Sequence, residues 1–120
     1  MDRKGKGDLG EKLAAGYLKK RGYKILDRNY RCREGELDIV ARKGDCLVFV
    51  EVRTKSGNAF GTPEESVTAT KRRHIAQAAF TYLQEHGHDQ DNWRIDLVAV
   101  ELDQKNKPQR IELIENAMDW

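Results

Sequence analysis

Two short apolar segments separated by a tight turn constrain this chain more than any other feature of its sequence. Residues 37–41 and 47–52 are rich in β-branched and aromatic side chains, and five residues lie between them. Those five include Gly44 and Asp45, a pair typical of hairpin turns. The sequence therefore predicts an antiparallel β-hairpin whose turn is centred on this pair.

Acidic residues occupy this hairpin where strands built only for a core would carry apolar side chains. With the turn at 44–45, Asp38 falls opposite Glu51, and Glu36 falls opposite Arg53. Side chains alternate between strand faces, so all four are expected on the same side. Opposed like charges are destabilising unless something neutralises them. Two such carboxylates suit a hard divalent cation with oxygen ligands, Mg²⁺ or Mn²⁺.

The same pattern also fits a solvated hairpin face in which Glu36 and Arg53 form an ordinary ion pair. Apolar residues, however, occupy both faces of the second strand, namely Leu47, Val48, Phe49, Val50 and Val52. Glu51 is therefore expected to be partly buried, and a buried carboxylate needs a partner. The burial favours a functional site, and the ion pair remains an alternative.

The composition is that of one modest domain. The chain has 120 residues, of which 38% are hydrophobic and 35% are charged, which allows a sheet with two or three helices. No apolar run approaches the roughly 18 residues of a membrane span, and no signal-like segment follows the N-terminus. We therefore expect no membrane association and a cytoplasmic location. Cys32 and Cys46 form no C-x-x-C pair, which predicts reduced, inert thiols.

Charge is distributed unevenly along the chain. Residues 1–33 hold 11 Lys and Arg against 4 Asp and Glu, whereas residues 34–120 hold 11 against 16. A basic first third next to an acidic cluster suits a polyanion held near a metal-binding centre. Charge alone supports a solvated helix and tail equally well.

The first helix is predicted from an apolar stripe that ends before Gly22. Apolar residues recur at helical spacing at Leu9, Leu13, Ala14, Tyr17 and Leu18. The residues before the stripe are charged and glycine-rich, so we expect 1–7 to form a disordered basic tail and 8–120 to form a single domain.

Glu11 has two interpretations. Together with Asp8 it resembles a capping box, in which it would reach back to the first backbone amide of the helix. It also shares a helix face with Ala14 and Leu18, from which it could point toward the acids of the hairpin. Taken from the residues alone, capping is the safer interpretation.

Basic residues mark a predicted first strand over residues 23–32. Arg28, Arg31 and Arg33 lie in or directly after it and are candidate phosphate contacts. A solvated edge strand would carry the same residues, so the two interpretations stay open.

The second helix is predicted over residues 70–86. Its inner face is expected to consist of Ile75, Ala78, Ala79, Tyr82 and Leu83. Its first turn carries Lys71, Arg72 and Arg73, where the helix dipole disfavours cations. A bound phosphate would explain them better than a solvated cluster would. Lys71 shares the inner face and is expected nearest the acids.

Two further strands and one long loop complete the pattern. Residues 93–100 form an apolar run typical of a strand covered on both faces and parallel to its neighbour. Asp96 within it needs a partner, by default an Arg or a backbone amide. Residues 110–115 alternate as an edge strand does. The predicted loop over 54–63 contains Phe60, which could stack on a base but is better explained as an anchor.

The order helix, three strands, helix, two strands, with a D-x12-E-x-R motif in the hairpin, resembles the PD-(D/E)XK nuclease superfamily. The resemblance implies the restriction-endonuclease-like α/β fold, in which helices flank a central mixed five-stranded sheet. More closely, the chain resembles the YraN family of small bacterial proteins of unassigned function. The matching segments are G-E-L-D-I-V, F-V-E-V-R, F-G-T-P, K-x-x-x-I-x-x-A-A and R-I-D-L-V-A-V.

The superfamily resemblance implies roles for individual residues. Asp38 and Glu51 match its metal ligands, and Glu11 matches an acid on the first helix of Holliday-junction resolvases, which shifts Glu11 from cap toward ligand. Arg53 occupies the position of the catalytic lysine. Arginine remains protonated and acts only as a charge clamp, whereas lysine can help to orient or activate water. Lys55, two residues further on the same strand face, could substitute.

The favoured function is a metal-dependent phosphodiesterase acting on DNA, at branched or otherwise structured sites. Asp38 and Glu51 would hold Mg²⁺ or Mn²⁺ with the help of Glu11 or Glu36. Arg53 or Lys55 would stabilise charge that develops on the phosphate. Resolvase-like cutting would require a homodimer.

Two other functions fit the same residues. In the first, the protein is a nucleic-acid-binding accessory whose chemistry is silenced by Arg53. In the second, it is a protein-interaction module that uses the long loop and the edge strand.

Overall fold

The predicted α/β fold, in the order α-β-β-β-α-β-β around a mixed five-stranded sheet, is confirmed by a computed structural model. The structure describes residues 1–57, 61–87 and 92–117. Its elements are α1 (Arg3–Lys20), β1 (Lys24–Cys32), β2 (Gly35–Lys43), β3 (Cys46–Ser56), a short 3₁₀ helix (Glu64–Ser66), α2 (Ala69–Glu85), β4 (Asn92–Leu102) and β5 (Pro108–Ile114). The strands lie in the sheet in chain order, β1 to β5.

β2 and β3 form the predicted hairpin in the predicted register. Lys43 pairs with Cys46 next to the turn, and Ile39 pairs with Val50 at the other end. Gly44 has a φ of +60°, which glycine adopts without steric cost. The ladder ends at the Ile39–Val50 pair, so Asp38 and Glu51 lie just beyond its last rung.

β3 is the central strand, and it pairs in parallel with β4 along its whole length, from Cys46–Asn92 to Ser56–Leu102. Parallel neighbours need a crossover, which α2 supplies. The parallel arrangement predicted for β4 is therefore confirmed. A side chain on β3 has strands on both sides and a helix layer on each face, so polar groups there are hard to hydrate.

The two helices cover opposite faces of the sheet. α1 packs over Val48, Val50 and Val52, and α2 packs over Leu47 and Phe49. The inner face predicted for α2 is confirmed, since its buried residues are Ile75, Ala78, Ala79, Tyr82 and Leu83. Within residues 1–57, 61–87 and 92–117, neither helix is long and apolar enough to cross a membrane.

α1 begins earlier than the apolar stripe indicated. Asp2 is its N-cap and accepts a hydrogen bond from the Gly5 amide at 2.8 Å, which satisfies one of the free amides at the helix start. The helix therefore includes residues 3–7, which we predicted to be a disordered tail. Glu11 lies in the third turn, so the capping box that we considered with Asp8 does not form.

Asp96 has both partners that the sequence allowed. It is fully buried, and it accepts hydrogen bonds from Arg94 Nε and from the Asn116 amide, each at 2.9 Å. Arg94 also donates to the Tyr23 hydroxyl at 2.9 Å. This acid has a structural role. Phe60, predicted as a loop anchor, lies outside the described residues, and β3 extends through Ser56 into the predicted loop.

α1 lies close to β3 at Gly10. A Cβ at this position would lie 1.8 Å from Thr54 Oγ1 and 3.0 Å from Thr54 Cβ. A rotation of the Thr54 side chain would relieve the first conflict but not the second. The missing side chain at residue 10 therefore sets the distance between the helix and the end of β3.

We predict that Gly10→Ala destabilises the protein, although alanine favours a helix over glycine by about 1 kcal/mol. Overpacking costs about 1–3 kcal/mol and exceeds that gain. Urea unfolding monitored by circular dichroism measures the difference.

The matched control is Gly16→Ala on the same helix, where a Cβ meets nothing within 4 Å. It should stabilise by up to about 1 kcal/mol. Thr54→Ala should restore part of the stability lost in Gly10→Ala. A Gly10→Ala variant as stable as Gly16→Ala would show that the contact does not constrain the helix.

Candidate metal centre and nucleic-acid cleft

Asp38 is held where the hairpin ladder ends. Its Oδ2 accepts a hydrogen bond from the Val52 amide at 2.8 Å, so a side chain takes over the role of a backbone carbonyl. Leu37 packs in the α2 core and Ile39 in the α1 core, so side-chain alternation breaks at Asp38. This break turns the carboxylate of Asp38 toward β3.

Asn29 accompanies this break on the neighbouring strand. β1 and β2 pair at Arg28–Ile39 and at Tyr30–Leu37, and Asn29 between them has a φ of 54°. Asparagine tolerates this left-handed conformation better than most residues do. The regular backbone conformation of β1 and the side-chain alternation of β2 are therefore interrupted at adjacent positions, where the acids are presented.

Glu51 is a buried carboxylate on the central strand, with 4% of its surface exposed. Burial contributes most to raising the pKa of Glu51 to about 9. A hydrogen bond shared with Asp38 and the negative charge of Asp38 raise this pKa further. The Oε2 atom of Glu51 is buried and has no hydrogen-bond donor among the described residues. An unsatisfied buried polar atom costs about 1–3 kcal/mol, so this oxygen calls for an explanation.

Two cations lie beside Glu51 without hydrogen-bonding to it. Arg53 Nη1 and Lys71 Nζ are each 3.7 Å from Glu51 Oε2. Both oppose the rise in the Glu51 pKa. Thr68 caps α2 by accepting a hydrogen bond from the Lys71 amide at 3.1 Å, which places Lys71 in the first turn, against the acids as expected.

Arg53 is fixed by the 3₁₀ helix. Its Nε donates to Ser66 Oγ at 2.9 Å, and the Ser66 hydroxyl donates in turn to the Pro63 carbonyl at 2.5 Å. The guanidinium is thus oriented beside Glu51 by a neutral partner.

Glu11 faces the same centre from α1. Its pKa is raised, first by burial and then by the charge of Asp38, while Arg28 opposes the rise. Its Oε1 is also buried without a hydrogen-bond partner among the described residues. Acids from α1, β2 and β3 therefore lie near one another, and their roles as metal ligands stay a prediction.

The donor set suits a hard divalent cation. The described part of the chain gathers no three Asp, Glu, His or Cys side chains in a geometry that could ligate one ion. A site built here would have Asp38 and Glu51 as its ligands, with Glu11 further out. Mg²⁺ commonly takes one or two carboxylates and retains its waters, so the residues fit the metal.

This centre opens into a cleft of about 640 Å³. The charged residues of its lining are Arg3, Lys6, Glu11, Asp38, Arg53 and Lys55. Four cations thus surround the two acids, which makes the cleft suitable for an anion that approaches a metal. Lys55 lines it two residues beyond Arg53, as the strand alternation predicts.

The other predicted residues lie outside the cleft lining. Glu36 forms an ion pair with Arg31, with 3.2 Å between its carboxylate oxygen and the arginine Nε. We expected Glu36 opposite Arg53, but the paired part of the hairpin ends before it reaches these two residues. Arg33 is exposed. Arg73 is exposed on α2 and donates to the Thr70 hydroxyl at 3.4 Å. Arg72 is half-buried on α2.

Arg3, Lys6 and Ser66 are site residues that sequence reasoning missed. Arg3 and Lys6 were assigned to a tail, and the signal that would have placed them was Asp2, a good N-cap residue. Ser66 lies in the 3₁₀ helix between β3 and α2, and its contact with Arg53 joins residues that are 13 positions apart in sequence, which no local pattern encodes.

A model of an uncharacterised protein family, UPF0102, matches residues 10–100. The chain belongs to the UPF0102 family. The resemblance to YraN proteins is thereby confirmed. A UPF0102 protein of Dehalococcoides mccartyi is 49% identical over 117 residues, which covers 98% of this chain and 95% of the relative.

Two further UPF0102 proteins are similar over nearly the whole chain. The protein of Moorella thermoacetica is 46% identical, with 98% of each chain covered. The protein of Syntrophus aciditrophicus is 47% identical, with 94% of this chain and 87% of the relative covered. The UPF0102 match includes the carboxylate centre from Glu11 to Lys71.

We predict that Glu51→Gln stabilises the metal-free protein at neutral and alkaline pH, by about 1–3 kcal/mol. The native pKa of Glu51, about 9, lies above the ordinary value of 4.5. The native state therefore keeps a proton that the unfolded state releases, and stability is lost as pH rises through this window. Urea unfolding between about pH 5 and 9 should give a flatter profile for the variant.

Asp45→Asn in the exposed hairpin turn removes the same charge and should leave the slope of the wild type unchanged. Parallel profiles for wild type and Glu51→Gln would mean that Glu51 is ionised at neutral pH in the native protein.

Proposed function

We propose that this UPF0102 protein is a Mg²⁺- or Mn²⁺-dependent phosphodiesterase that cuts nucleic acid, with DNA as its expected substrate. The observation that supports this proposal most directly is the carboxyl group of Glu51. It is buried beside Asp38, and one of its oxygens has no hydrogen-bond donor among the described residues. It lies next to a cleft lined by four cations.

A purely structural role explains Glu51 poorly. An ion pair that stabilised a buried carboxylate would have good geometry and fill its lone pairs, yet Arg53 and Lys71 both remain 3.7 Å away. Asp96 in the next strand shows the contrast, since it has two donors at 2.9 Å. Glu51, unlike Asp96, is therefore left with spare coordination capacity.

Each residue of the centre has a task in phosphodiester cleavage. When bound by Asp38 and Glu51, the metal supplies Lewis-acid polarisation of the phosphate. The Val52 amide keeps Asp38 in place, and Ser66 orients Arg53. Arg53 and Lys71 supply fixed positive charge where negative charge grows in the transition state. Glu11 offers a free oxygen that can accept a proton or a hydrogen bond from water.

A non-catalytic nucleic-acid-binding protein is the second candidate. It is favoured by the arrangement of Arg53, which stands where the superfamily has lysine and is tied to Ser66. An arginine so held can clamp a phosphate but cannot exchange protons near neutral pH. The two candidates differ in turnover, and they share nucleic-acid binding.

We predict that Mg²⁺ or Mn²⁺ raises the melting temperature of the wild type by several degrees. A ligand that binds only the native state contributes about 2.7 kcal/mol at one hundred times its Kd. The shift should grow from about pH 6 to 8, because metal binding must displace the proton that Glu51 retains. Differential scanning fluorimetry measures it.

Glu51→Gln and Asp38→Asn should remove this metal-induced shift, whereas Asp45→Asn should retain it. An equal shift in all four proteins would assign metal binding to another place on the chain and would leave the proposed centre without support.

We predict that Arg53 decides between the two candidates. If the protein is a nuclease, Arg53→Lys should retain or raise the cutting of linear, nicked, flapped or four-way DNA. Arg53→Ala should lower turnover far more than affinity, because the contact strengthens as charge develops. Ser66→Ala should have a smaller effect in the same direction, since it frees the guanidinium without removing it.

Glu51→Ala controls for contaminating nucleases, since its preparations should not cut. Binding without cutting by both wild type and Arg53→Lys, across the whole panel, would favour the accessory protein over the enzyme.

A further inference from the structure

The first two turns of α1 form one wall of the cleft. Arg3, Lys6 and Gly7 line it from the helix, and Thr54, Lys55 and Ser56 line it from the end of β3. None of the residues in the first helical turn is acidic. This half of the cleft is therefore basic, whereas the acids Glu11 and Asp38 belong to the other half.

Helix stability does not explain these cations. The positive end of the helix dipole disfavours Arg and Lys in a first turn, and Gly5 and Gly7 have low helix propensity. Gly7 nevertheless lines the cleft, and a Cβ there would meet nothing within 4 Å. The first turns of α1 are therefore less stable as a helix than they could be. They place cations along a wall of the cleft that no side chain at residue 7 obstructs.

The contact at Gly10 holds this wall opposite Lys55. Gly10 meets Thr54, the residue directly before Lys55 on β3. The cations of the helix and of the strand therefore face one cleft as a consequence of packing. Their positions do not depend on flexible loops.

The cations lie on two walls of the cleft, with Arg3 and Lys6 on α1 and Arg53 and Lys55 on β3. The cleft has a volume of about 640 Å³, which leaves room for more than one phosphate group. A nucleic-acid strand carries a charge about every 3.4 Å of helix axis, so successive phosphates of one strand can engage both walls.

We propose that the first turns of α1 and the end of β3 form a second phosphate-binding subsite. It holds the backbone of a nucleic-acid strand beyond the phosphate that lies at Asp38 and Glu51. This subsite rests on the proposed nucleic-acid substrate, and it adds Arg3 and Lys6 as residues that position the strand.

The test is the salt dependence of oligonucleotide binding without divalent metal, so that no cleavage occurs. The variant is Arg3→Gln with Lys6→Gln. The matched control is Lys4→Gln with Lys12→Gln, which removes the same charge from exposed positions of the same helix outside the cleft lining. Fluorescence anisotropy is measured with labelled oligonucleotides of increasing length.

Each phosphate contact contributes about 0.9 to the slope of log K against log salt for duplex DNA. The Arg3/Lys6 variant should lose about two units of slope with long oligonucleotides. The loss of slope should be smaller with a dinucleotide, whose single phosphodiester releases fewer counterions on binding. The exchange of Arg3→Lys with Lys6→Arg should keep the full slope, and circular dichroism should show an unchanged helix content.

Equal losses in the Arg3/Lys6 and Lys4/Lys12 variants would overturn the subsite and leave the carboxylate centre untouched. Salt-independent or absent binding by the wild type would overturn both the subsite and the nucleic-acid substrate. Selective loss in the Arg3/Lys6 variant without any cutting by the wild type would uphold the subsite and reject only the phosphodiesterase.

Discussion

The hydrogen bond from the Val52 amide to the Asp38 carboxylate replaces the next rung of the ladder between β2 and β3. A backbone rung would have continued the hairpin as two flat strands and closed the space between them. The side-chain rung lets β2 and β3 part and sets Asp38 beside Glu51, and β3 continues along the cleft paired with β4 but no longer with β2. The candidate metal centre and the basic cleft both depend on this substitution of a side chain for a carbonyl.

The acids of the candidate metal centre are not fully compensated by the cations beside them. Burial and the neighbouring charge of Asp38 keep Glu51 protonated at neutral pH, and Lys71 and Arg53 approach its Oε2 only to 3.7 Å. Tighter contacts would neutralise the acids and fill the space that a cation needs. Native proteins tolerate such local cost at functional sites because the surrounding structure determines the geometry. Here the surrounding structure is the parallel pair β3–β4, packed between two helix layers.

Much of this arrangement could be predicted from local pattern. The Gly44–Asp45 turn fixed the register that brings Asp38 and Glu51 together, and the spacing of Ile75 and Tyr82 predicted the buried face of α2. The start of α1 could not be predicted in this way, because glycines hide the helical periodicity that Asp2 initiates. The roles of Ser66 and of the bend at Asn29 depend on contacts between segments distant in sequence, which a residue pattern does not record.

The contact between Gly10 and Thr54 anchors α1 at a point beside the acids. At about 1.5 Å of rise per residue, Arg3 lies roughly 10 Å from this contact along the helix axis, and Glu11 lies only about 1.5 Å from it. A tilt of the helix therefore swings the basic end through a wide arc while Glu11 stays almost still. The same packing contact therefore fixes the carboxylate of Glu11 more tightly than the cations of the first helical turn.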